Sequence, residues 1–283
     1  MKIRISSDST CDLSPELVRR YGIEIVPLSV TLGEDIYKDG VEMDVNDIYA
    51  YVDSTGNLPK TSAVNIADYG TVFRRLTKDG GAVIHFCISA DFSSSYQNAC
   101  AAAEQIGNVW VMDSRNLSTG QGLMVLRAAD LAAEGADPET ICAECAEMAD
   151  RVDASFVIDR LDYLYKGGRC SALSAFGANL LRLKPCIEVR DGRMLPEKKY
   201  RGAFERVIPQ YIADRLADSE RIDRTRVFIT HTRCSDACVR NAVETVRRLL
   251  PDLSEVLETT AGATVTTHCG PNTLGVLFVR KKA

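Results

Sequence analysis

Apolar positions along the first half of the chain switch between a period of two and a period near 3.6, which predicts strands alternating with helices. Residues 2–6 read as a short strand followed by the polar loop Ser7-Asp8-Ser9-Thr10. Ser14-Pro15-Glu16 marks a helix start: a capping hydroxyl, proline at the first helical position and an acid in the first turn. Gly22 closes that helix, and residues 23–32 form the next extended run. Asp44 with Asp47 caps a helix to about residue 52, and Asn65 with Asp68 caps another to about residue 76. Residues 82–89 are almost unbroken apolar, as in a parallel strand buried on both faces. A helix over 93–106, a strand over 108–113 and helices over 118–134 and 138–151 follow, the last opened by Asp137-Pro138-Glu139.

The second half has another texture. A strand over 154–158 leads to a short helix stopped by Gly167-Gly168, and residues 171–183 read as helical. Residues 184–189 and 194–200 form a hairpin about Asp191-Gly192, a dipeptide suited to a tight turn. A helix over 202–219 carries Pro209, where a kink is expected. A strand over 225–231, an amphipathic helix over 235–250 and strands over 255–260 and 273–280 complete the chain. The pattern predicts an α/β protein of two unlike domains. Residues 1–152 would hold a wound, mostly parallel sheet with flanking helices, and residues 153–283 an α/β domain with a hairpin.

Composition narrows the function. The 283 residues match a prior of about two domains at roughly 150 residues each. With 46% hydrophobic and 26% charged residues the chain is an ordinary globular one. Lys and Arg total 34 against 39 Asp and Glu, a net charge of −5 that argues against nucleic acid as partner. No apolar run approaches the 18 residues of a membrane span, and the opening Met1-Lys2-Ile3-Arg4 lacks the apolar core of a signal peptide; a cytoplasmic protein without stable membrane insertion is expected. Ten cysteines lie scattered from Cys11 to Cys269. Reduced thiols are expected in a long chain of this type. Cys142-x-x-Cys145 with Cys234-x-x-x-Cys238 is the one arrangement drawable as a zinc site, but both pairs sit in helical patterns, so no metal is expected.

Candidate chemistry gathers at the carboxyl ends of the predicted parallel strands. Asp8-Ser9-Thr10 follows the first strand, Thr61-Ser62 lies in a loop after Pro59, and Ser89-Ala90-Asp91-Phe92-Ser93-Ser94-Ser95-Tyr96 follows the strand over 82–89. These hydroxyls are either caps and turn formers or a neutral cradle for an anion with no cation beside it. No P-loop, no G-x-G-x-x-G after a strand, no G-x-S-x-G and no H-E-x-x-H occurs, so no cofactor is expected. Of three histidines, His85 lies in an apolar strand and reads as core, His231 ends a strand, and His268 stands in a Gly/Pro turn, Thr267-His268-Cys269-Gly270-Pro271.

Taken in order, several short motifs resemble the DegV family of fatty-acid-binding proteins, which includes the acyl-binding subunits of bacterial fatty acid kinase. They are Asp8-Ser9-Thr10-Cys11-Asp12-Leu13, Lys60-Thr61-Ser62, Ile88-Ser89 with Phe92-Ser93 and Tyr96, Asp113-Ser114, Lys166-Gly167-Gly168-Arg169, Arg201-Gly202, and His268-Cys269-Gly270-Pro271. The resemblance implies a non-catalytic carrier with the EDD fold. It would bind one long-chain fatty acid at the domain interface and present the carboxylate to a separate ATP-dependent kinase subunit that resembles dihydroxyacetone kinases. The acyl phosphate so formed would serve phospholipid synthesis. The resemblance further implies that Thr61, Ser62, Ser93 and His268 surround the carboxylate, with Arg169 and Ser9 near the site and Arg201 on the kinase-docking surface. Phe156, Ile158, Phe176 and Leu180 are candidate acyl-tunnel residues. Fifteen buried methylenes at about 0.8 kcal/mol each supply roughly 12 kcal/mol before ordering costs, so the tunnel sets affinity and the polar end sets register. The chain departs from the family pattern at Ala63-Val64 (usually Gln-Pro), at Ser94 (usually Gly) and at Asn272 (usually Gly). The alternative reading is a serine esterase or acyltransferase with Ser93 as nucleophile and His268 as base.

Overall fold

The computed structural model describes residues 2–170 and 183–282. Strand β1 (Ile3–Asp8) runs into the expected polar loop and ends in one 3₁₀ turn at Ser9–Cys11. Helix α1 (Pro15–Tyr21) starts and stops at its caps: Ser14 Oγ accepts from Leu17 N, and Gly22 adopts φ +62°. The single run expected over 23–32 is two strands, β2 (Glu24–Val26) and β3 (Ser29–Leu32), which enter different sheets on either side of Pro27. Strand β4 (Asp35–Lys38), which no alternation announces, pairs with β3. Asp44 and Asp47 form a capping box on α2 (Val45–Thr55).

The expected loop at Thr61-Ser62 is corrected to a strand, β5 (Lys60–Ser62), antiparallel to β3. Asn65 caps α3 (Ile66–Thr77), and β6 (Ala82–Cys87) is buried at every position. Then come α4 (Ser95–Glu104), β7 (Val109–Asp113), α5 (Ser118–Ala133) and α6 (Pro138–Ala149). Strands in the order β2-β1-β6-β7 form one wholly parallel sheet, and β4-β3-β5 form a small antiparallel one.

The remaining elements are β8 (Val152–Ile158), α7 (Leu161–Gly167), β9 (Leu183–Arg190), β10 (Arg193–Arg201), α8 (Phe204–Arg215), β11 (Ile222–Thr232), α9 (Asp236–Leu249), β12 (Glu255–Thr260), α10 (Ala263–Cys269) and β13 (Thr273–Arg280). They build a six-stranded sheet, β10-β9-β8-β13-β11-β12, parallel only between β11 and β12. The helix expected over 171–183 lies outside the described residues, except that Leu183 begins β9. Pro209 sits inside α8 as expected. Helix α5 packs against β1 and β6 on one side and β8, β11 and β13 on the other. Twelve of its sixteen residues are buried, as a helix sandwiched between two sheets requires. No helix among the described residues is long and apolar enough to cross a membrane.

The hairpin forms as its turn dipeptide predicts: Asp191 and Gly192 have φ of +51° and +78°, the left-handed pair of a two-residue turn. Its tip is pinned to the loops above the parallel sheet. Ser89 Oγ donates to Gly192 O at 2.8 Å, and Arg115 and Arg193 pair with Asp191 and Asp91 at 2.9 and 3.2 Å. A Cβ on Gly192 would meet Ser89 Oγ at 2.8 Å. Gly192→Ala is therefore expected to cost about 1–3 kcal/mol, read as a lower urea midpoint at unchanged slope. An unchanged midpoint would mean the tip is not held there.

Candidate functional site

The segment Ala263–Cys269 is rich in β-branched residues, which have weak helix preference. It forms α10 because two buried carboxylates from distant loops take its first N–H groups. Asp12 Oδ1 accepts from Gly262 N at 2.8 Å, and Asp39 accepts from Ala263 N at 3.0 Å and Thr264 N at 3.2 Å. Burial pushes the Asp12 carboxyl up to about 8, against the bonds it accepts from Ser118 Oγ and Gly262 N. His268 is thus on the last turn of a helix, a correction of the expected Gly/Pro turn. Ser9 Oγ donates to Asp39 Oδ2 at 3.0 Å and accepts from Leu28 N at 3.1 Å, so it secures the aspartate that caps α10. Asp8, fully buried, accepts from Thr10, Gln121 Nε2 and Ile88 N, and so ties β1 to α5 and to the end of β6.

Thr61 and His268 meet across this frame: Thr61 Oγ1 lies 2.9 Å from His268 Nε2. Burial, with the charge of Arg169 adding to it, lowers the imidazole to about 4, so it is neutral at physiological pH. Thr61 is half-buried, with its hydroxyl on α10, and Ser62 beside it is exposed. Ser93 lies in the loop before α4, not in the helix as expected. Its Oγ accepts from Ser95 N at 3.2 Å and lies 3.0 Å from Ser95 Oγ. His268 is therefore partnered by a threonine, and the Ser93–His268 pair that the esterase alternative needs is not formed.

Thr61, Ser62, Ser93, Arg169 and His268 line one cleft, together with apolar residues that include Leu28, Phe92 and Met194. The hydroxyls have a cation beside them. Arg169 lines the cleft, with its guanidinium steadied by donation to Gly167 O at 2.8 Å. Behind the cleft is a second, inner pocket between α5 and the six-stranded sheet. Leu117, Val265 and Cys269 line both spaces and so stand between them. The hydroxyls around the inner cavity are spent inside its wall: Ser118 on Asp12, Ser155 on Tyr211, Thr230 on Thr119, Thr232 on Gly270 O, and Thr273 on Cys269 O. His231 lines the space as well, with Nδ1 buried and unpartnered among the described residues, and most of the remaining wall is hydrocarbon.

Phe156 lines the inner cavity. Ile158 is fully buried two positions along the same face of β8 and lines neither space. Phe176 and Leu180 lie outside the described residues. Arg201 is exposed at the end of β10, seven positions from Met194 of the cleft, about 23 Å at the usual strand rise. His85 is core, as expected: Ser6 Oγ lies 2.8 Å from its Nδ1, and the rings of Tyr69 and Phe73 pack at 5.1 and 5.2 Å. His231 Nε2 stands 3.6 Å from Glu258. No disulfide forms among the described residues. Cys269 lines both spaces, but burial pushes its thiol up to about 12, far from a thiolate at neutral pH. Among the described residues no cluster of side chains is arranged to hold a metal ion. Asp39 had no signal in the sequence, since an aspartate before Gly40 reads as a turn.

Residues 2–281 match the family model described as uncharacterised protein, DegV family. The chain belongs to the DegV family. A DegV domain-containing protein of Caldanaerobacter subterraneus subsp. tengcongensis is 32% identical over 99% of both chains. Two solved structures are similar throughout. A fatty-acid-binding DegV family protein of Thermus thermophilus superposes with a TM-score of 0.89 at 31% identity, covering 99% of this chain and 100% of that one. DegV of Bacillus subtilis, a fatty acid binding protein, gives 0.86 at 28% identity, covering 99% and 100%. The departures from the DegV pattern are locally accommodated. Ser94 has φ −75°, which any residue adopts. Asn272 takes φ +54°, the left-handed region in which asparagine is the usual substitute for glycine.

Proposed function

We propose that the chain binds one long-chain fatty acid, with the carboxylate in the outer cleft and the hydrocarbon passing through a neck between Leu117, Val265 and Cys269 into the inner cavity. The observation that carries this reading is the pairing of the two spaces: hydroxyls, an imidazole and an arginine line one, a mostly apolar wall lines the other, and Leu117, Val265 and Cys269 line both. A buried carboxylate needs several hydrogen bonds to offset its lost hydration. Thr61 and Ser93 supply neutral donors, Ser62 stands at the rim, and Arg169 provides counter-charge without a bidentate clamp. The division into 1–152 and 153–283 puts the ligand at the junction of two domains. The kinship with fatty-acid-binding DegV proteins supports the ligand class.

In the fuller form of the proposal the protein is a cytoplasmic, non-catalytic carrier. It hands the carboxylate to a separate ATP-dependent kinase subunit resembling dihydroxyacetone kinases, docked through Arg201, and the resulting acyl phosphate enters phospholipid synthesis. The direct test is to denature the purified protein and analyse the organic extract by mass spectrometry, with a second sample first incubated with palmitate or oleate. One fatty acid per chain is expected in the incubated sample, and a chain that neither carries nor takes up fatty acid refutes the reading. Ser93→Ala is expected to lower acyl transfer to a kinase subunit by about tenfold, the worth of one charge-assisted bond, with an unchanged circular dichroism spectrum. Transfer at the wild-type rate would remove Ser93 from the site.

A further inference from the structure

The two ring nitrogens of His268 have opposite surroundings. Nε2 meets Thr61 Oγ1, and Nδ1 is buried with no hydrogen-bond partner among the described residues. Gly167, the last residue of α7, stands in front of Nδ1. A Cβ built on Gly167 would lie 2.4 Å from Nδ1 and 3.4 Å from both Cγ and Cε1, the two ring carbons bonded to that nitrogen. Distances that long and that equal put the point in the ring plane, on the axis where Nδ1 carries either its lone pair or its proton. The glycine hydrogen in that direction points at Nδ1. A lone pair accepts such a C–H contact weakly, whereas an N–H would press hydrogen against hydrogen.

We infer that Gly167 is a positioning residue that fixes His268 as the Nε2–H tautomer, so that the imidazole donates to Thr61 Oγ1 and the Thr61 hydroxyl proton is directed to the ligand. The imidazole is neutral at physiological pH, so only the two tautomers compete. Thr61 has one hydroxyl hydrogen, and His268 is the only side-chain partner of its Oγ1 among the described residues. Once Oγ1 has accepted from Nε2, its proton needs another acceptor, and the cleft is where one can be. The identity of that acceptor as a carboxylate rests on the fatty-acid reading; the tautomer does not. His268 on this account acts through Thr61, not by touching the carboxylate.

The test is a long-range ¹H–¹⁵N spectrum of histidine-labelled protein, with the three rings assigned by single His→Gln variants. It is recorded with and without palmitate between pH 8 and 5. One pattern is expected throughout for His268, Nε2 protonated and Nδ1 bare. A protonated Nδ1, or the averaged shifts of an imidazole exchanging freely, overturns the inference. Gly167→Ala is expected to drive the ring out, replace that pattern by the averaged one and raise the imidazole toward its ordinary value near 6.5. It should also weaken palmitate binding about tenfold or more; an unchanged spectrum would overturn the assignment. If this variant does not fold, the wild-type spectrum decides alone. Failure to bind palmitate with the Nε2–H pattern intact would refute the ligand and leave the tautomer standing.

Discussion

Val265→Phe is expected to lower the affinity for a sixteen- or eighteen-carbon acid by about a hundredfold or more, and to leave an eight-carbon acid nearly unaffected. Val265 lies in the proposed neck with Leu117 and Cys269, on the helix that also carries His268. A larger ring there would plug the proposed passage between the two cavities and leave the carboxylate end open. A long chain would then lose the burial of roughly ten methylenes, about 8 kcal/mol gross at 0.8 kcal/mol each, of which part is regained on the outer surface. A short acid housed in the cleft loses little. Overpacking costs about 1–3 kcal/mol of stability, so thermal melting is measured beside binding by calorimetry. Undiminished long-chain affinity in a folded variant would mean that the chain does not pass the neck.

Local chemistry was legible in the sequence, and long-range chemistry was not. Ser14-Pro15, the Asp44–Asp47 box and Asp191-Gly192 act within a few residues of themselves, and each element they announce is present. The buried strand β6 declared itself by composition. The small sheet did not, because β4 and β5 are four and three residues long and polar, and exist by pairing with β3. Residues 23–32 are extended throughout, but nothing in their alternation says that Pro27 divides them between two sheets. Helix α10 was the costliest miss, since its own residues prefer another conformation and its caps come from Asp12 and Asp39, more than two hundred positions away. The site residues themselves came from family resemblance. Five of them, Thr61, Ser62, Ser93, Arg169 and His268, line one cleft, and Ser9 stands behind it.

Acid is expected to loosen the fold through His85, and the size of the effect is set by how dry its surroundings are. The ring is fully buried between β1 and α3, and burial alone lowers it to about 3. Above the ordinary value near 6.5 both folded and unfolded chains hold a neutral imidazole, and its contribution is fully present. Below that pH the unfolded chain takes up a proton that the folded chain refuses, so stability falls by about 1.4 kcal/mol per pH unit until the folded pKa is reached. Over two units the loss is about 3 kcal/mol, a large share of the stability of a typical protein. His268, lowered to about 4, adds in the same direction, whereas Asp12, raised to about 8, opposes both because the folded chain there binds the proton first. The His85 share is therefore isolated as a difference. His85→Phe in a Ser6→Ala background keeps the aromatic packing on Tyr69 and Phe73 and leaves no orphaned hydroxyl. Urea unfolding of this variant and the wild type, at pH 7.5 and then at half-unit steps to 5, should give stabilities that converge by about 1.4 kcal/mol per unit below 6.5. Parallel curves would mean that water reaches the ring and that His85 is not sealed beneath the site.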